Sequence, residues 1–229
     1  MVEIRLRLPT LEDTIRQIAI WALPVLAAVI FHEVAHGWVA YRFGDPTAAR
    51  MGRLTLNPLA HIDPVGTILI PVLLIVAQAP FLFGYARPVP VNFFNLRNPK
   101  RDMIWVAAAG PATNLLLALA CVFLLKATLP LFAGAHDSAL ADFFSPIVLM
   151  ARNGIVINVV LAVFNMIPLP PLDGGRVLVG FLPEPHSSTL ARVEPFGFLI
   201  VILLLMTHML DRIIGPPVGF LVDFFFGLL

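Results

Sequence analysis

Three side chains that can hold a metal ion or move a proton lie within five residues, in the stretch FHEVAHGW at residues 31–38. His32, Glu33 and His36 form an H-E-x-x-H pattern, and positions i and i+4 share one face of a helix, so both imidazoles can reach one ion. Glu33 then lies beside them as a candidate general base for a water molecule at the metal. The pattern predicts a metal site that activates water; the alternative is two histidines hydrogen-bonded by neighbouring helices.

A catalytic zinc site normally uses three protein ligands and keeps one position open, so a third ligand must come from elsewhere in the chain. Asp173 is the best candidate, because it directly follows a long apolar segment, where Gly174 and Gly175 permit a sharp turn of the backbone. The alternative is a solvated Asp in a loop that ends a helix. Weaker candidates are Cys121 in an apolar run, His136 and Asp137 in a loop, and His208 and Asp211 after a later apolar segment.

The composition places these residues in a membrane protein. The chain has 229 residues, of which 59% are apolar and 13% are charged, whereas an average soluble domain has about 25% charged residues. The net charge of +1 gives no indication of a nucleic-acid partner. The expected surroundings are a lipid bilayer, in which an ionisable side chain costs free energy and is by default a functional candidate.

Segments of about 20 mainly apolar residues are long enough to span a bilayer. Such segments occupy residues 18–43, 66–84, 103–129, 146–167 and 193–209, and a short apolar tail follows at residues 216–229. We therefore expect an α-helical polytopic membrane protein with about four to six membrane segments. Residues 1–229 are expected to form a single membrane-embedded domain, with its core at residues 18–180 and C-terminal hydrophobic segments at residues 193–229.

Two intervals around the second apolar segment do not have a helical pattern. Residues 52–58 alternate apolar and polar side chains as a strand does, and the prolines of residues 85–92 keep that stretch extended. We expect a small β-structured or re-entrant region between the first and the third segments, with an open edge near the membrane surface.

A shared zinc ion constrains the path of residues 66–84. The two histidines lie near the C-terminal end of the first segment, and Asp173 lies just past that of the fourth. These ends meet at one face only if an even number of crossings separates them, and the third and fourth segments already supply two. Residues 66–84 are therefore expected to re-enter the membrane or to form a hairpin, with bends at Pro71 and Pro80.

Basic residues indicate the orientation. By the positive-inside rule, they put the zinc side toward the cytoplasm, because they flank residues 66–84 while residues 130–145 contain no Lys or Arg. The flanking residues are Arg50, Arg53, Arg87, Arg97, Lys100 and Arg101. Arg5, Arg7 and Arg16 near the N-terminus favour the opposite orientation.

Two motifs in combination resemble those of the site-2 protease family of intramembrane zinc metalloproteases. HEVAH lies in an early apolar segment, and N-x-x-P-x-P-x-x-D-G follows a later one as Asn165, Pro168, Pro170, Asp173 and Gly174. GPATN at residues 110–114, GRLTLNPLAHIDPVG and GYARPVPVN are also similar to minimal members that lack PDZ or CBS domains. The resemblance covers about residues 18–180.

This resemblance implies one zinc ion per chain, held by His32, His36 and Asp173. Glu33 would activate water, and Asn165 would hold the substrate or the developing oxyanion. The implied activity is hydrolysis of peptide bonds in or near transmembrane segments of membrane-protein substrates, as in regulated intramembrane proteolysis. The expected partners are a transmembrane substrate and the lipid bilayer, and the expected location is a prokaryotic cell membrane.

Two other functions compete with this interpretation. A membrane metal carrier would spread its polar ligands along a path, whereas this chain concentrates them at one depth. A catalytically inactive scaffold that binds membrane helices would not need the intact Glu33.

Overall fold

The computed structural model describes residues 11–77, 84–134 and 139–229. Within these ranges the chain is helical and contains no strand, so the predicted helical class is confirmed. The α-helices are α1 (Leu11–Arg42), α2 (Thr47–Arg50), α3 (Ile70–Val76), α4 (Pro99–Gly134), α5 (Ala139–Asn165), α6 (Asp173–Phe181), α7 (His186–Ala191), α8 (Glu194–Met206) and α9 (Met209–Gly227). A π-helical turn at Pro64–Leu69 precedes α3, and 3₁₀ turns lie at Pro58–Ala60 and Phe93–Asn95.

Three helices of the described chain are long and apolar enough to cross a membrane: α1 over Ile15–Arg42, α4 and α5. Helices α8 and α9 meet at an angle of 85° and add a fourth span only if the bent pair counts as one. The break lies at His208, which has a left-handed backbone with φ of 55°. Of the four to six predicted membrane segments, the described structure therefore contains three, or four if the bent pair counts as one.

The long apolar helices pack around one another and carry the site. Helix α1 packs against α4 and α5, and α9 packs against α5. The main buried cluster belongs to α4, α5 and α9, and its members are Ala118, Val122, Leu125, Val148, Ala151, Ile155, Val159 and Phe225. Large apolar side chains such as Trp21, Leu116 and Phe123 are exposed on the outside of the bundle, as lipid-facing residues are.

The second apolar segment returns to the place where it began. The π-helical turn of 6 residues and α3 of 7 residues are contiguous, and together they are about 20 Å long, shorter than the ~30 Å hydrocarbon core of a bilayer. The N–H of Tyr85 donates to the Gly66 carbonyl at 3.0 Å, and the N–H of Arg87 donates to the His61 carbonyl at 2.9 Å. The two ends therefore lie side by side, as a re-entrant path requires. Pro71 is the second residue of α3, and Pro80 lies outside the described residues.

The predicted small sheet is not confirmed, because neither of its stretches forms a strand. Residues 85–92, which we call the strap, lie outside the helices and have no partner strand in the described part of the chain. The guanidinium of Arg53 instead donates to the carbonyls of Arg87 at 2.8 Å and Pro88 at 3.3 Å. Pro88 and Pro90 carry no N–H and therefore weaken any ladder in this part of the strap.

Asp45 attaches the end of the strap to the end of α1. Its carboxylate is fully buried and accepts from the N–H of Asn92 at 2.7 Å and from the Asn95 amide at 2.9 Å. Thr47 also donates to it, through its N–H at 3.1 Å and through its hydroxyl. Burial raises the pKa of Asp45, but these hydrogen bonds outweigh it and hold the pKa below its ordinary value. The strap is thus fixed in position beside α1.

Candidate metal centre

The structure brings His32, His36 and Asp173 together. The two histidines lie on consecutive turns of α1, with 3.0 Å between their Nε2 atoms. Asp173 is the first residue of α6, and its Oδ2 lies 3.2 Å from Nε2 of His32 and 3.3 Å from Nε2 of His36. Among the described residues these three form the one group of three or more His, Cys, Asp or Glu side chains able to hold a metal ion.

The weaker candidates for the third ligand do not join this group where the structure describes them. Cys121 lies within α4 beside Gly154 of α5. His208 and Asp211 contact each other at 3.3 Å on an exposed surface. His136 and Asp137 lie outside the described residues.

Close packing of the backbone after α5 brings Asp173 back to α1. A Cβ on Gly174 would lie 2.2 Å from the Met166 carbonyl oxygen, and one on Gly175 would lie 2.1 Å from the Pro170 nitrogen. Both glycines lie in the first turn of α6. They are thus needed for the close approach of two backbone segments, a more specific role than the freedom to turn that the sequence suggested.

The other ring nitrogen of each histidine has a hydrogen-bond partner. Nδ1 of His36 lies 2.7 Å from the Val106 carbonyl, and Nδ1 of His32 lies 2.6 Å from Oδ1 of Asn114. A carbonyl oxygen can only accept, so each Nδ1 carries the proton in the neutral ring and each Nε2 presents a lone pair. Metal-binding histidines characteristically donate their second N–H in this way.

These atoms fit a zinc ion. Two lone pairs and a carboxylate oxygen face one another, and Oδ2 of Asp173 is buried with no hydrogen-bond partner. Tetrahedral ligand atoms at ~2 Å from one ion are ~3.3 Å apart, close to the separations of 3.0, 3.2 and 3.3 Å. Gly110 of α4 leaves the space beside them open, because a Cβ there would lie 2.4 and 2.6 Å from the two Nε2 atoms. The ligand set itself remains a prediction.

Glu33 is positioned by the strap. Its Oε2 accepts a hydrogen bond from the N–H of Val89 at 2.7 Å. This bond fixes the orientation of the carboxylate. The arrangement suits the general-base role predicted for Glu33, a role that remains a prediction.

Asn165 is the last residue of α5, and its amide donates to the Leu161 carbonyl of the same helix at 3.0 Å. A hydrogen bond from this side chain to another helix does not appear in the described structure. Its side chain lines the same cavities as Glu33. The location suits contact with a substrate.

Two cavities meet at Glu33. The apolar cavity, about 580 Å³, is lined mainly by α1, α5, α8 and the strap, through Val29, Tyr85, Leu161, Phe164, Phe198 and Val201. The polar cavity, about 350 Å³, is lined by both histidines, Asp173, Arg176 and strap residues. His32, Glu33, Pro88 and Asn165 line both.

Reasoning from sequence missed several groups that shape this centre. They are the side chain of Asn114, the carbonyl of Val106, the N–H of Val89 and the open face of Gly110. The stretch GPATN contains both Gly110 and Asn114, and a polar Asn inside an apolar span was a usable signal. The backbone groups left no signal in the sequence.

Comparisons with known proteins agree with this chemistry. The profile of peptidase family M50 matches residues 131–208, which include Asn165 and Asp173. YwhC of Bacillus subtilis (strain 168), named as a zinc metalloprotease, is 39% identical over 197 residues, covering 85% of this chain and 83% of YwhC. Rip2 of Mycolicibacterium smegmatis, named likewise, is 33% identical over 218 residues, covering 93% of this chain and 78% of Rip2. No solved structure matches the chain.

Proposed function

Because this chain belongs to peptidase family M50, the site-2 protease family, and is a zinc metalloprotease, we propose that it cuts membrane proteins in or near their transmembrane segments. We assign His32, His36 and Asp173 as the ligands of one zinc ion per chain, Glu33 as the general base and Asn165 as a residue that contacts the substrate. The domain is proposed to comprise residues 1–229, with the zinc site toward the cytoplasmic side of a bacterial membrane.

The observation that carries this proposal is the position of the metal centre between two cavities of different polarity. The apolar cavity is bordered by helices α1 and α5, both long enough to span a membrane. An apolar stretch of substrate can therefore lie against Glu33 while the polar cavity next to it supplies water. A site for soluble peptides would not need an apolar cavity between membrane helices.

A substrate helix must unwind before hydrolysis, because its own hydrogen bonds shield its peptide bonds. The strap lies beside Glu33, and it is held on the enzyme through Arg53 and Asp45. An unwound substrate segment can pair with it by strand addition. Because Pro88 and Pro90 carry no N–H, the strap offers mainly carbonyl oxygens to substrate N–H groups. Residues 52–58, the other predicted edge, line neither cavity at Glu33.

His32, His36 and Asp173 would hold a zinc ion that would supply Lewis-acid chemistry to the substrate carbonyl and to water. Glu33 takes a proton from water through Oε1 as the water oxygen bonds to the carbonyl carbon, while Val89 keeps its other oxygen in place. Glu33 then passes the proton to the amine nitrogen as the C–N bond breaks. The Asn165 amide has two N–H donors and uses one of them on Leu161. The other can donate to the substrate carbonyl as negative charge develops on it.

The first test compares wild-type protein with the Glu33→Gln variant. Gln keeps an oxygen for the Val89 N–H but cannot take a proton from water. We expect one zinc per chain in both proteins, measured by elemental analysis, and a rate about 10²–10⁴-fold lower in the variant. Membranes containing either protein are incubated, and new N-termini of membrane-protein fragments are quantified by mass spectrometry. Wild-type-dependent fragments should begin in or beside transmembrane segments.

Ligand variants serve as the matched comparison. His32→Ala, His36→Ala and Asp173→Ala should each lose zinc and cleavage together, unlike Glu33→Gln. Full zinc and full activity in Asp173→Ala would remove Asp173 from the ligand set. Undiminished cleavage by Glu33→Gln would exclude its role as base. Absence of any wild-type-dependent fragment, or zinc movement into vesicles without proteolysis, would favour a scaffold or a metal carrier.

A further inference from the structure

A buried chain of side chains connects the metal centre to the neighbouring spans. His32 on α1 contacts Asn114 on α4, and the Asn114 amide donates to Oδ1 of Asn158 on α5 at 2.9 Å. The exposed fractions of His32, Asn114 and Asn158 are 7%, 0% and 3%. Buried amides among apolar helices cost free energy unless their polar atoms are paired, and here they are paired with one another and with the backbone.

Backbone carbonyls at two points fix the direction of every hydrogen bond in this chain. Asn158 donates from Nδ2 to the Gly154 carbonyl at 2.8 Å, so its Oδ1 faces Asn114. Asn114 donates from Nδ2 to the Ala28 carbonyl at 3.2 Å as well as to Asn158. Both acceptors of the Asn114 amide lack hydrogens, so a flipped amide would lose both bonds. Oδ1 of Asn114 must therefore face His32.

These hydrogen bonds determine the tautomer of His32. Since Oδ1 of Asn114 can only accept, Nδ1 of His32 carries the proton, and Nε2 keeps the lone pair that points toward Asp173 and His36. His36 obtains the same tautomer from the Val106 backbone carbonyl, which no side-chain substitution removes. The tautomer of His32 alone depends on side chains of other helices.

We propose that Asn114 and Asn158 are positioning residues that hold His32 in its metal-binding tautomer and thereby set the zinc affinity of the site. Asn114 acts directly on the imidazole, and Asn158, on a different helix, acts through Asn114. The inference rests on the zinc site proposed above and extends control of that site to α5, which supplies none of its ligands.

Asn153 provides a matched control on the same helix. Its amide lies 3.5 Å from the Ile20 carbonyl of α1, so it joins α5 to α1 within the bundle, as Asn158 joins α5 to α4. Among the described residues, no hydrogen bond links it to either histidine. A role limited to holding helices together would be shared by Asn153 and Asn158, whereas control of the His32 tautomer belongs to Asn158 alone.

The test measures zinc affinity of the full-length protein in detergent by competition with a chelator, in the wild type and in Asn114→Leu, Asn158→Leu and Asn153→Leu. Asn114→Leu should weaken zinc binding about 10–100-fold, the usual effect of removing the partner of a ligating histidine. Asn158→Leu should weaken it less, because the Ala28 carbonyl still holds Asn114. Asn153→Leu should match the wild type.

A double variant tests whether Asn158 acts through Asn114. In the Asn114→Leu background, Asn158→Leu should cause no further loss of affinity, whereas independent effects would add. The visible spectrum of the cobalt(II)-loaded protein gives a second readout, and it should change for Asn114→Leu but not for Asn153→Leu. Equal losses in all three single variants, additive losses, or unchanged affinity in Asn114→Leu would each overturn the proposal.

Asn158→Asp keeps the test decisive if the leucine variants do not fold. Burial favours the neutral acid, which can donate its O–H to the Gly154 carbonyl and present its other oxygen to the Asn114 amide, so zinc affinity should stay near that of the wild type. A loss comparable to that expected for Asn114→Leu would contradict the proposal. If the wild-type protein bound no zinc at all, the zinc site of the proposed function would be excluded. Normal zinc binding in the wild type and in every variant would instead exclude only the positioning role of Asn114 and Asn158.

Discussion

At the scale of single residues, the structure separates the groups proposed to bind a metal from the group proposed to move protons. Three atoms without hydrogens converge from His32, His36 and Asp173, while Glu33 is turned toward the strap by Val89. The metal and the base therefore depend on different supports. This separation is why a variant of Glu33 is expected to keep zinc while it loses hydrolysis.

Asn165 gives a second prediction at this scale. Asn165→Ala should bind zinc and unfold thermally like the wild type, because its side chain bonds only to Leu161 of its own helix in the described structure. Its cleavage rate should fall about 10²–10³-fold, the effect of losing one oxyanion donor. The measurement is the rate on a substrate identified by fragment mapping. Asn153→Ala on the same helix is the control, and an unchanged rate in Asn165→Ala would remove its catalytic role.

At the scale of elements, the decisive contact is the approach of α4 to α1. Gly110 lies against both imidazoles, and Asn114, four residues further along α4, reaches His32. Helix α4 thus leaves room for the ion and supplies the partner of a ligand from one face. Any side chain at position 110 would occupy that space.

Gly110→Ala is therefore expected to abolish zinc binding. The added Cβ would lie 2.4 Å from Nε2 of His36 and 2.5 Å from Cε1 of His32, and overpacking of this kind typically costs about 1–3 kcal/mol. Gly134→Ala, at the end of the same helix, is the matched control, because a Cβ there meets nothing within 4 Å. Zinc content and thermal unfolding of both variants are measured. Full zinc content in Gly110→Ala would show that the metal site can accommodate a side chain at position 110, contrary to this prediction.

At the scale of the whole molecule, α1, α4 and α5 form the frame and residues 66–84 leave and rejoin one side of it. Helix α4 begins on the side of the metal centre, and α5 returns the chain to that side before Asp173. Two helices long enough to cross a membrane, α4 and α5, therefore separate the histidines from Asp173 along the chain, the even number that a shared ion would require. The contacts of Tyr85 with Gly66 and of Arg87 with His61 place both ends of the intervening segment together.

Cysteine labelling tests this path. In a Cys121→Ala background, Val65→Cys and Arg87→Cys should react with a membrane-impermeant maleimide from the same face of the membrane, because the two ends of the segment are adjacent. Leu140→Cys, near the start of α5 and 60% exposed, should react from the other face and calibrates the assay. Labelling of positions 65 and 87 from opposite faces would mean that the segment crosses.

Several features were readable from the sequence because they are local. The spacing of His32 and His36 fixes their common helix face, and the long runs without charge predict the spans of α1, α4 and α5. Asp173 could be chosen as the third ligand because it directly follows a predicted span in a stretch with a recognisable motif. Each of these inferences uses residues close together in the chain, where helical periodicity and apolar length decide the outcome.

The rest was decided only by tertiary structure, because it depends on residues distant in sequence. His32 and Asn114 are 82 positions apart, and Glu33 and Val89 are 56 apart, so no periodicity pairs them. The predicted sheet is not confirmed, since an alternating pattern does not guarantee a partner strand and the prolines of the strap disfavour one. The sequence by itself determined which residues could hold zinc; the packing of α4 and the strap against α1 decided which nitrogen of each histidine faces the ion and how the base is oriented.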